Sequence, residues 1–215
     1  MRKGEKARQS KVARKRTERS QQAQRTRAEE QTGALEHIHQ ARNYPIEGCW
    51  TVEKWNEGGL AKVVIARRQP NGRIVFGCYL VDLYCLGLKD TFCNADIPAG
   101  LFRRNYLAQI FDDSPPLGVS PALAHEIVYG GIEFAAQFGF RPHRDFRHSR
   151  YILDPPEVHP RTGKAQFGKD GKPFYISGPY DNAEAIVRQL ARTAGEGNFD
   201  YIAMAGTPPR EWQEG

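Results

Sequence analysis

The chain has 215 residues, of which 40% are hydrophobic and 11% aromatic. This composition can form a core, and it excludes a collagen or a wholly disordered chain. The N-terminus is charged, and no stretch approaches the roughly 18 apolar residues of a membrane span, so we expect neither a secretory signal nor a membrane partner. The formal net charge of +6 points instead to a polyanion.

The positive charge is concentrated at the N-terminus. Residues 1–33 contain eleven Lys and Arg against four Asp and Glu, whereas the rest of the chain contains twenty against twenty-one. Such an asymmetry is typical of a basic arm that binds a polyanion. We therefore predict that nucleic acid is bound by the eleven cations of this arm, which are Arg2, Lys3, Lys6, Arg8, Lys11, Arg14, Lys15, Arg16, Arg19, Arg25 and Arg27.

The basic arm, residues 1–33, has few apolar residues and no apolar stripe at helical period. It therefore cannot offset the cost of ordering its backbone, although most of its residues are good helix formers. We predict an arm that is disordered alone and conditionally helical on a partner. Residues 34–43 are predicted to be a linker, 44–206 a globular domain and 207–215 a flexible C-terminal tail.

The four cysteines, Cys49, Cys78, Cys85 and Cys93, contain no C-x-x-C pair. A zinc ribbon or thioredoxin-like site is therefore disfavoured, and no metal or other cofactor is predicted from them. Without a secretory signal, reduced thiols in the cytoplasm are expected.

A β-hairpin is predicted over residues 60–86. Val63, Val64 and Ile65 mark its first strand, and Asn71-Gly72 suits a tight turn. The second strand, Arg73 to Leu86, is apolar on both faces, which favours a central strand covered by helices.

Two helices are predicted after this hairpin. Residues 98–111 suggest the first, and Ser120-Pro121 marks the start of the second, which should end near Phe138 and Gly139. On a helical wheel the apolar residues of the second helix share one half, whereas His125, Glu126 and Glu133 fall on the other.

The last third of the chain is predicted to contain shorter elements. Residues 167–176 suggest a short hairpin, Asp181 a helix N-cap with Glu184 completing a capping box, and residues 199–203 a final strand. The predicted fold class is therefore α+β, a single compact domain in which β-hairpins form a sheet packed by about three helices.

A regular arginine run lies between these elements. Arg141, Arg144, Arg147 and Arg150 recur every third residue, interleaved with Phe140, Phe146 and Tyr151. Guanidinium groups pair with phosphate oxygens, and neighbouring rings could stack on unpaired bases. A solvated loop with aromatic anchors in the core is the alternative interpretation.

Acidic and histidine residues carry a different hypothesis. Asp82 lies between Val81 and Leu83 in an apolar strand, so its carboxylate needs a partner such as an arginine, or else faces a cleft. If Asp82, Glu126 and Glu133 converged, they could bind a divalent metal and activate water, with His125 moving a proton. H-E-x-x-H is not completed, because position 129 is tyrosine, and this excludes a zinc protease of that type.

Three functions remain open at this point. The first is a cytoplasmic protein that binds RNA or DNA through the arm and the arginine run, with a ribosome as one RNA-rich candidate. The second is a metal-dependent nuclease or related hydrolase that uses Asp82, Glu126, Glu133 and His125. The third is an adaptor whose arm binds an acidic protein partner. Whether Asp82, Glu126 and Glu133 share one cleft distinguishes the second from the others.

Overall fold

A five-stranded antiparallel sheet lies at the centre of the protein. The computed structural model describes residues 32–112 and 114–203. The predicted basic arm up to residue 31 and the predicted C-terminal tail lie outside the described residues. The strands of the sheet are β1 (Ile46–Thr51), β2 (Leu60–Arg68), β3 (Arg73–Asp82), β4 (Gly87–Pro98) and β5 (Leu117–Val119). They lie side by side in the order β4-β3-β2-β1-β5.

The predicted hairpin forms the middle of this sheet. β2 and β3 pair from Leu60 opposite Asp82 to Arg68 opposite Ile74, and Gly72 takes a φ of 79° in the connecting turn. β3 ends at Asp82 rather than at Leu86, because the chain turns there and enters β4 at Gly87, where φ is 67°. Asp82 is therefore the last residue of a strand and not the middle of one.

One face of the sheet is covered by α4 (Pro121–Gln137), which begins where the sequence predicts. The Ser120 hydroxyl accepts a hydrogen bond from the Leu123 N–H at 3.2 Å, and Pro121 is the first helical residue. A Cβ atom on Gly131 would lie 2.4 Å from the Val81 side chain, so glycine permits the close approach of helix and strand. Val63, Ile65, Val81, Ile127 and Val128 are among the buried residues of this core.

The opposite face is covered by the helical segment predicted over residues 98–111. It consists of α2 (Ala99–Leu101), a π-helical turn (Phe102–Tyr106) and α3 (Leu107–Ile110). Phe102 is fully buried and its ring centroid lies 5.0 Å from that of Phe76 on β3. The sheet is thus packed by helices on both faces, which confirms the α+β class.

A short helix precedes the sheet. Residues 32–39 form α1, and a 3-10 turn follows at Ala41–Asn43. Ile38 and Ala41, three residues apart, are buried in the main core. Within residues 34–43, which the sequence analysis predicted to be a linker, these two side chains contact the core of the domain.

The C-terminal elements make a smaller layer around Cys85, Tyr175 and Leu190. They are β6 (Phe174–Ile176), α6 (Ala183–Thr193) and β7 (Asp200–Ile202), whereas the preceding short helix α5 (Phe146–Ser149) packs on the main core through Phe146. β6 pairs in parallel with β7. The predicted hairpin over 167–176 is reduced to the tight turn that joins Lys169 to Lys172. Among the described residues, no helix has the length and apolar character needed to cross a membrane.

The N-cap of α6 also differs from the prediction. The Asn182 side chain accepts the Ala185 N–H at 3.1 Å and is the cap. Asp181 instead accepts hydrogen bonds from the Lys89 ammonium at 2.9 Å and from the Gly178 N–H at 2.8 Å. Sequence spacing alone cannot separate two adjacent side chains that are both good caps.

Arg67, at the end of β2, joins the sheet to the loop that follows α5. Its side chain is 3% exposed. The guanidinium donates to the Ile152 carbonyl at 2.7 Å, to the Tyr44 carbonyl at 2.8 Å and to the Asp154 carboxylate at 2.5 Å. A buried cation needs this number of acceptors, because each unpaired donor would cost the desolvation of a charged group.

Replacing Arg67 by methionine is expected to lower the free energy of unfolding by about 3 kcal/mol or more, because it leaves the Asp154 carboxylate without its cation and two carbonyls without donors. Urea denaturation measures the effect. Arg68→Met is the matched control: Arg68 pairs with Glu47 and its side chain is 39% exposed, so its loss is expected to be much smaller. Equal losses in the two variants would contradict this role of Arg67.

Candidate nucleic-acid interface

The four arginines of the run, called the arginine strip below, are all on the surface. Arg141, Arg144, Arg147 and Arg150 are all exposed, and the Arg144 side chain is 87% exposed. In the same segment Phe146 packs against the main core, and Ser149 and Ile152 are fully buried. Residues three apart share a face of a helical turn. Successive helical turns run from residue 143 to 152, so the three-residue spacing directs Arg144, Arg147 and Arg150 to solvent and Phe146, Ser149 and Ile152 to the core.

The backbone of this strip is fixed by hydrogen bonds to the sheet. The His143 N–H donates to the Leu88 carbonyl at 3.0 Å. The Tyr79 hydroxyl, fully buried, donates to the Ser149 carbonyl at 2.9 Å, and the Thr91 and Ser149 hydroxyls lie 2.9 Å apart. The arginines thus project from an ordered segment, which reduces the conformational entropy lost when a ligand binds.

The helix that continues from the basic arm packs beside the same strip. Just after α1, Arg42 donates to the Leu153 carbonyl at 2.7 Å and to the Arg150 carbonyl at 3.1 Å. His39, the last residue of α1, has its ring centroid 4.7 Å from that of Tyr151. α1 has eight residues and is about 12 Å long at 1.5 Å per residue. Its N-terminal end at residue 32 therefore lies about 12 Å from the end that contacts the strip.

Two acidic side chains lie close to the strip. Asp145 is 3.9 Å from Arg144 and also 3.9 Å from His143, and Asp90 is 3.8 Å from His143. These contacts are long and partly exposed, so they neutralise little of the charge of the four arginines. The surface stays positive.

Asp82 is held by backbone amides. Its Oδ1 accepts the Tyr84 N–H at 2.9 Å and the Cys85 N–H at 3.0 Å, which closes the turn between β3 and β4. Burial raises the pKa of Asp82, and the hydrogen bonds from these amides oppose that shift. The partners in the structure are therefore main-chain donors, where the sequence suggested an arginine.

Glu126 and Glu133 lie on one side of α4, and Asp82 lies elsewhere. The two glutamates line a shallow cleft of about 290 Å³ with Gly130, Arg161 and Phe167. Asp82 lines a separate cavity of about 230 Å³ with Gly59 and Lys89. The structure thus brings together two of the three carboxylates that the hydrolase hypothesis requires to converge.

The Glu126 carboxylate binds the loop that follows residue 161. It accepts hydrogen bonds from the Thr162 hydroxyl and N–H and from the Gly163 and Ala165 N–H groups. Burial raises the pKa of Glu126, but these hydrogen bonds outweigh it and hold the pKa below its usual value. Glu133 pairs with Arg161 at 2.6 Å on the surface. Glu126, which the helical wheel placed away from the core, is buried because this loop covers that side of α4.

His125 is buried and forms a cluster with the half-buried Asp154 and His159, and the ligand-type atoms of the three residues lie within 4.8 Å of one another. Nδ1 of His125 donates to the Pro121 carbonyl at 2.7 Å, and Nε2 accepts the Asp154 N–H at 2.9 Å. Burial lowers the pKa of His125 to about 4, so the ring is neutral at pH 7.

The Asp154 carboxylate completes this cluster. It contacts Arg67 at 2.5 Å and Nε2 of His159 at 2.8 Å. Burial raises the pKa of Asp154, but these hydrogen bonds outweigh it and hold the pKa below its usual value. His, His and Asp are metal-ligating types, and the three residues are close enough together to hold a metal ion. In this structure their hydrogen bonds to one another and to Arg67 link the loop around Asp154 to α4 and β2.

Sequence reasoning missed Arg42, His39 and Asp154. Each is joined to the interface by contacts that span many residues of sequence, for example the 111 positions between Arg42 and Leu153. The only sequence signal was the pair of histidines around Ile38 in a segment otherwise taken as a linker.

No family model, curated protein or solved structure matches this chain.

Asp82→Asn is expected to keep the turn and to leave the free energy of unfolding unchanged, or raised by up to about 1 kcal/mol at pH 7, because it keeps the Oδ1 acceptor and removes a charge that burial disfavours. Since the folded-state pKa is raised, the cost of the charge develops as the pH rises above about 4. The free energy of unfolding gained by Asp82→Asn should therefore vanish in acid. Asp82→Ala, which removes the acceptor, should cost about 1–2 kcal/mol. A loss above about 2 kcal/mol in Asp82→Asn would indicate a cationic partner.

Glu126→Gln should behave in the opposite sense and lose about 1–3 kcal/mol at pH 7, because an amide cannot accept all four donors. A depressed folded-state pKa stabilises the protein above the unfolded-state value of about 4.3, and this stabilisation is lost as the pH falls through the folded-state pKa. The difference between the two proteins should accordingly shrink in acid. Thermal unfolding across pH measures it, with the exposed Glu133→Gln as control. A pH-independent loss would contradict the assignment.

Proposed function

We propose that the protein binds nucleic acid, RNA or DNA, through its basic arm and the strip of Arg141, Arg144, Arg147 and Arg150. The observation that carries the proposal is that all four arginines are exposed on a segment whose backbone is bound to the sheet. An arginine that served only to stabilise the domain would be engaged by buried acceptors, as Arg67 is.

The two parts of the proposed interface supply different kinds of affinity. The arm contributes eleven cations on a chain segment with a low apolar content, which favours binding that depends on salt and not on sequence. The strip presents guanidinium groups with a defined spacing, and these can make paired hydrogen bonds with phosphate oxygens. α1 connects the two, so one strand of nucleic acid can contact both.

This proposal takes precedence over the hydrolase alternative. Glu126 holds a loop through four donors, Glu133 pairs with Arg161, and Asp82 lines a different cavity. An active site with a shared metal needs carboxylates that converge on one open position. The adaptor alternative differs from ours in its partner, and binding assays with acidic peptide in place of nucleic acid separate the two.

We also propose that the protein acts in the cytoplasm. All four cysteines are free thiols, and Cys49, Cys78 and Cys85 are buried in the packed interior. Burial raises the pKa of each of these three thiols to about 12, so they are protonated and unreactive at neutral pH. Such thiols are typical of a reducing compartment.

Deleting residues 1–31 should reduce nucleic-acid affinity severely and leave the domain folded, because every contact described above lies within residues 32–203. If the arm neutralises ~5–8 phosphates, the deletion should make the negative slope of log K against log salt shallower by about 4 to 7 for duplex DNA. Fluorescence anisotropy at several salt concentrations measures both quantities. An affinity unchanged by the deletion would remove the arm from the interface.

Arg144→Ala/Arg147→Ala in the full chain should weaken binding and make the same slope shallower by about one for each lost phosphate contact. The free energy of unfolding should be unchanged. Arg104→Ala/Arg192→Ala is the matched control, since these arginines are also exposed but lie on the π-helical turn and on α6. The control removes equal charge. If both double variants weaken binding equally, net charge alone is responsible and the strip is not the interface.

A further inference from the structure

We infer that the ring cluster of His39, His148 and Tyr151 is a stacking surface for unpaired bases, so that the nucleic acid bound is single-stranded. This inference rests on the proposed function and specifies the substrate class of the same interface. RNA and DNA share the chemistry concerned, which is a flat base beside a phosphate.

The three rings come from both sides of the interface. His39 belongs to α1, whereas His148 and Tyr151 belong to the segment that carries the arginine strip. The ring centroids of His39 and Tyr151 lie 4.7 Å apart, and those of His39 and His148 lie 6.1 Å apart with the rings 20° from parallel. The contact between α1 and the strip is therefore made of flat aromatic groups.

Two guanidinium groups flank the same cluster. The central carbon of Arg42 is 5.8 Å from the Tyr151 ring centroid, and that of Arg150 is 5.5 Å from it. Both distances are within the range of cation–π attraction. A nucleotide needs two adjacent kinds of group, a π-face for the base and a cation for the phosphate. The cluster provides both next to each other.

Packing distinguishes these rings from the other aromatic residues of the segment. Phe140 and Phe146, which the sequence pattern grouped with Tyr151, pack against hydrophobic clusters of the interior. His39 is exposed, and His148 and Tyr151 are half-buried outside those clusters, with the His39 ring beside both. A ring that is held in place by neighbours and still accessible loses little entropy on stacking.

A single strand fits this surface better than a duplex. In a duplex the base faces are stacked on one another, so a protein ring reaches them only after unstacking, at a cost of a few kcal/mol per step. In a single strand every base offers a free π-face. An interface made only of arginines would bind both forms through phosphates, whereas the rings add affinity only for exposed bases.

The test compares two ligands with equal numbers of phosphates, a uracil or thymine oligomer and an abasic oligomer of the same length. The full chain should bind the base-bearing oligomers more tightly than the abasic one by about five- to fiftyfold, consistent with base stacking. His39→Ala/Tyr151→Leu should remove this preference and leave the affinity for the abasic oligomer unchanged. Comparable preferences for uracil and thymine oligomers are expected, and a preference for one alone would identify RNA or DNA as the ligand.

Phe92→Leu is the control, since Phe92 is an aromatic residue 48% exposed that packs edge-on against Phe76 on the opposite face of the sheet. This variant should retain the base preference. Equal affinity of the wild type for base-bearing and abasic oligomers would overturn the stacking inference while leaving the proposed function intact. Absence of salt-dependent binding to either oligomer would overturn both. A loss of preference in Phe92→Leu equal to that in the double variant would place the bases elsewhere.

Discussion

The buried guanidinium of Arg67 joins the central sheet to two distant parts of the chain. It extends from the end of β2 and binds two carbonyls and one carboxylate that lie far away in sequence. Because a buried cation must keep its acceptors, the segment around Ile152 and the residue Tyr44, two positions before β1, cannot move independently of the sheet. Arg150, the last residue of the arginine strip, lies two residues before Ile152. This contact therefore helps to fix the position of the strip.

Polar groups on α4 hold the next part of the same loop. His125 accepts the Asp154 N–H, the Tyr129 hydroxyl donates to the Asp154 carbonyl at 2.8 Å, and Glu126 accepts four donors from Thr162 to Ala165. Gly130 contributes by its lack of a side chain, since a Cβ atom there would lie 2.3 Å from the Phe167 ring. The helix therefore packs its apolar half on the sheet and uses its polar half to bind a long loop.

Local chemistry made part of this fold predictable. The β2–β3 hairpin follows from an Asn-Gly turn between apolar runs, and the start of α4 follows from Ser120-Pro121. Both signals act within a few residues. In contrast, the amide partners of Asp82 depend on where β3 ends, and the parallel pairing of β6 with β7 joins strands separated by a helix. Such features arise from tertiary packing and leave no short-range pattern.

The same distinction applies to the candidate interface. The three-residue period of the arginines is visible in the sequence, but period alone cannot separate a phosphate-binding strip from a solvated loop. The structure adds the ordered backbone beneath the strip, the approach of α1, and the rings of His39 and Tyr151. These contacts define the geometry of the surface at which we propose that base and phosphate are bound together.

Photocrosslinking of the full chain to a single-stranded oligomer with photoreactive bases, mapped by mass spectrometry, reports directly where the bases bind. We expect crosslinks at His39, His148 or Tyr151, together with crosslinks in residues 1–33. Crosslinks confined to the opposite face of the sheet, around Phe92 and Tyr106, would show that the bases do not bind at the arginine strip.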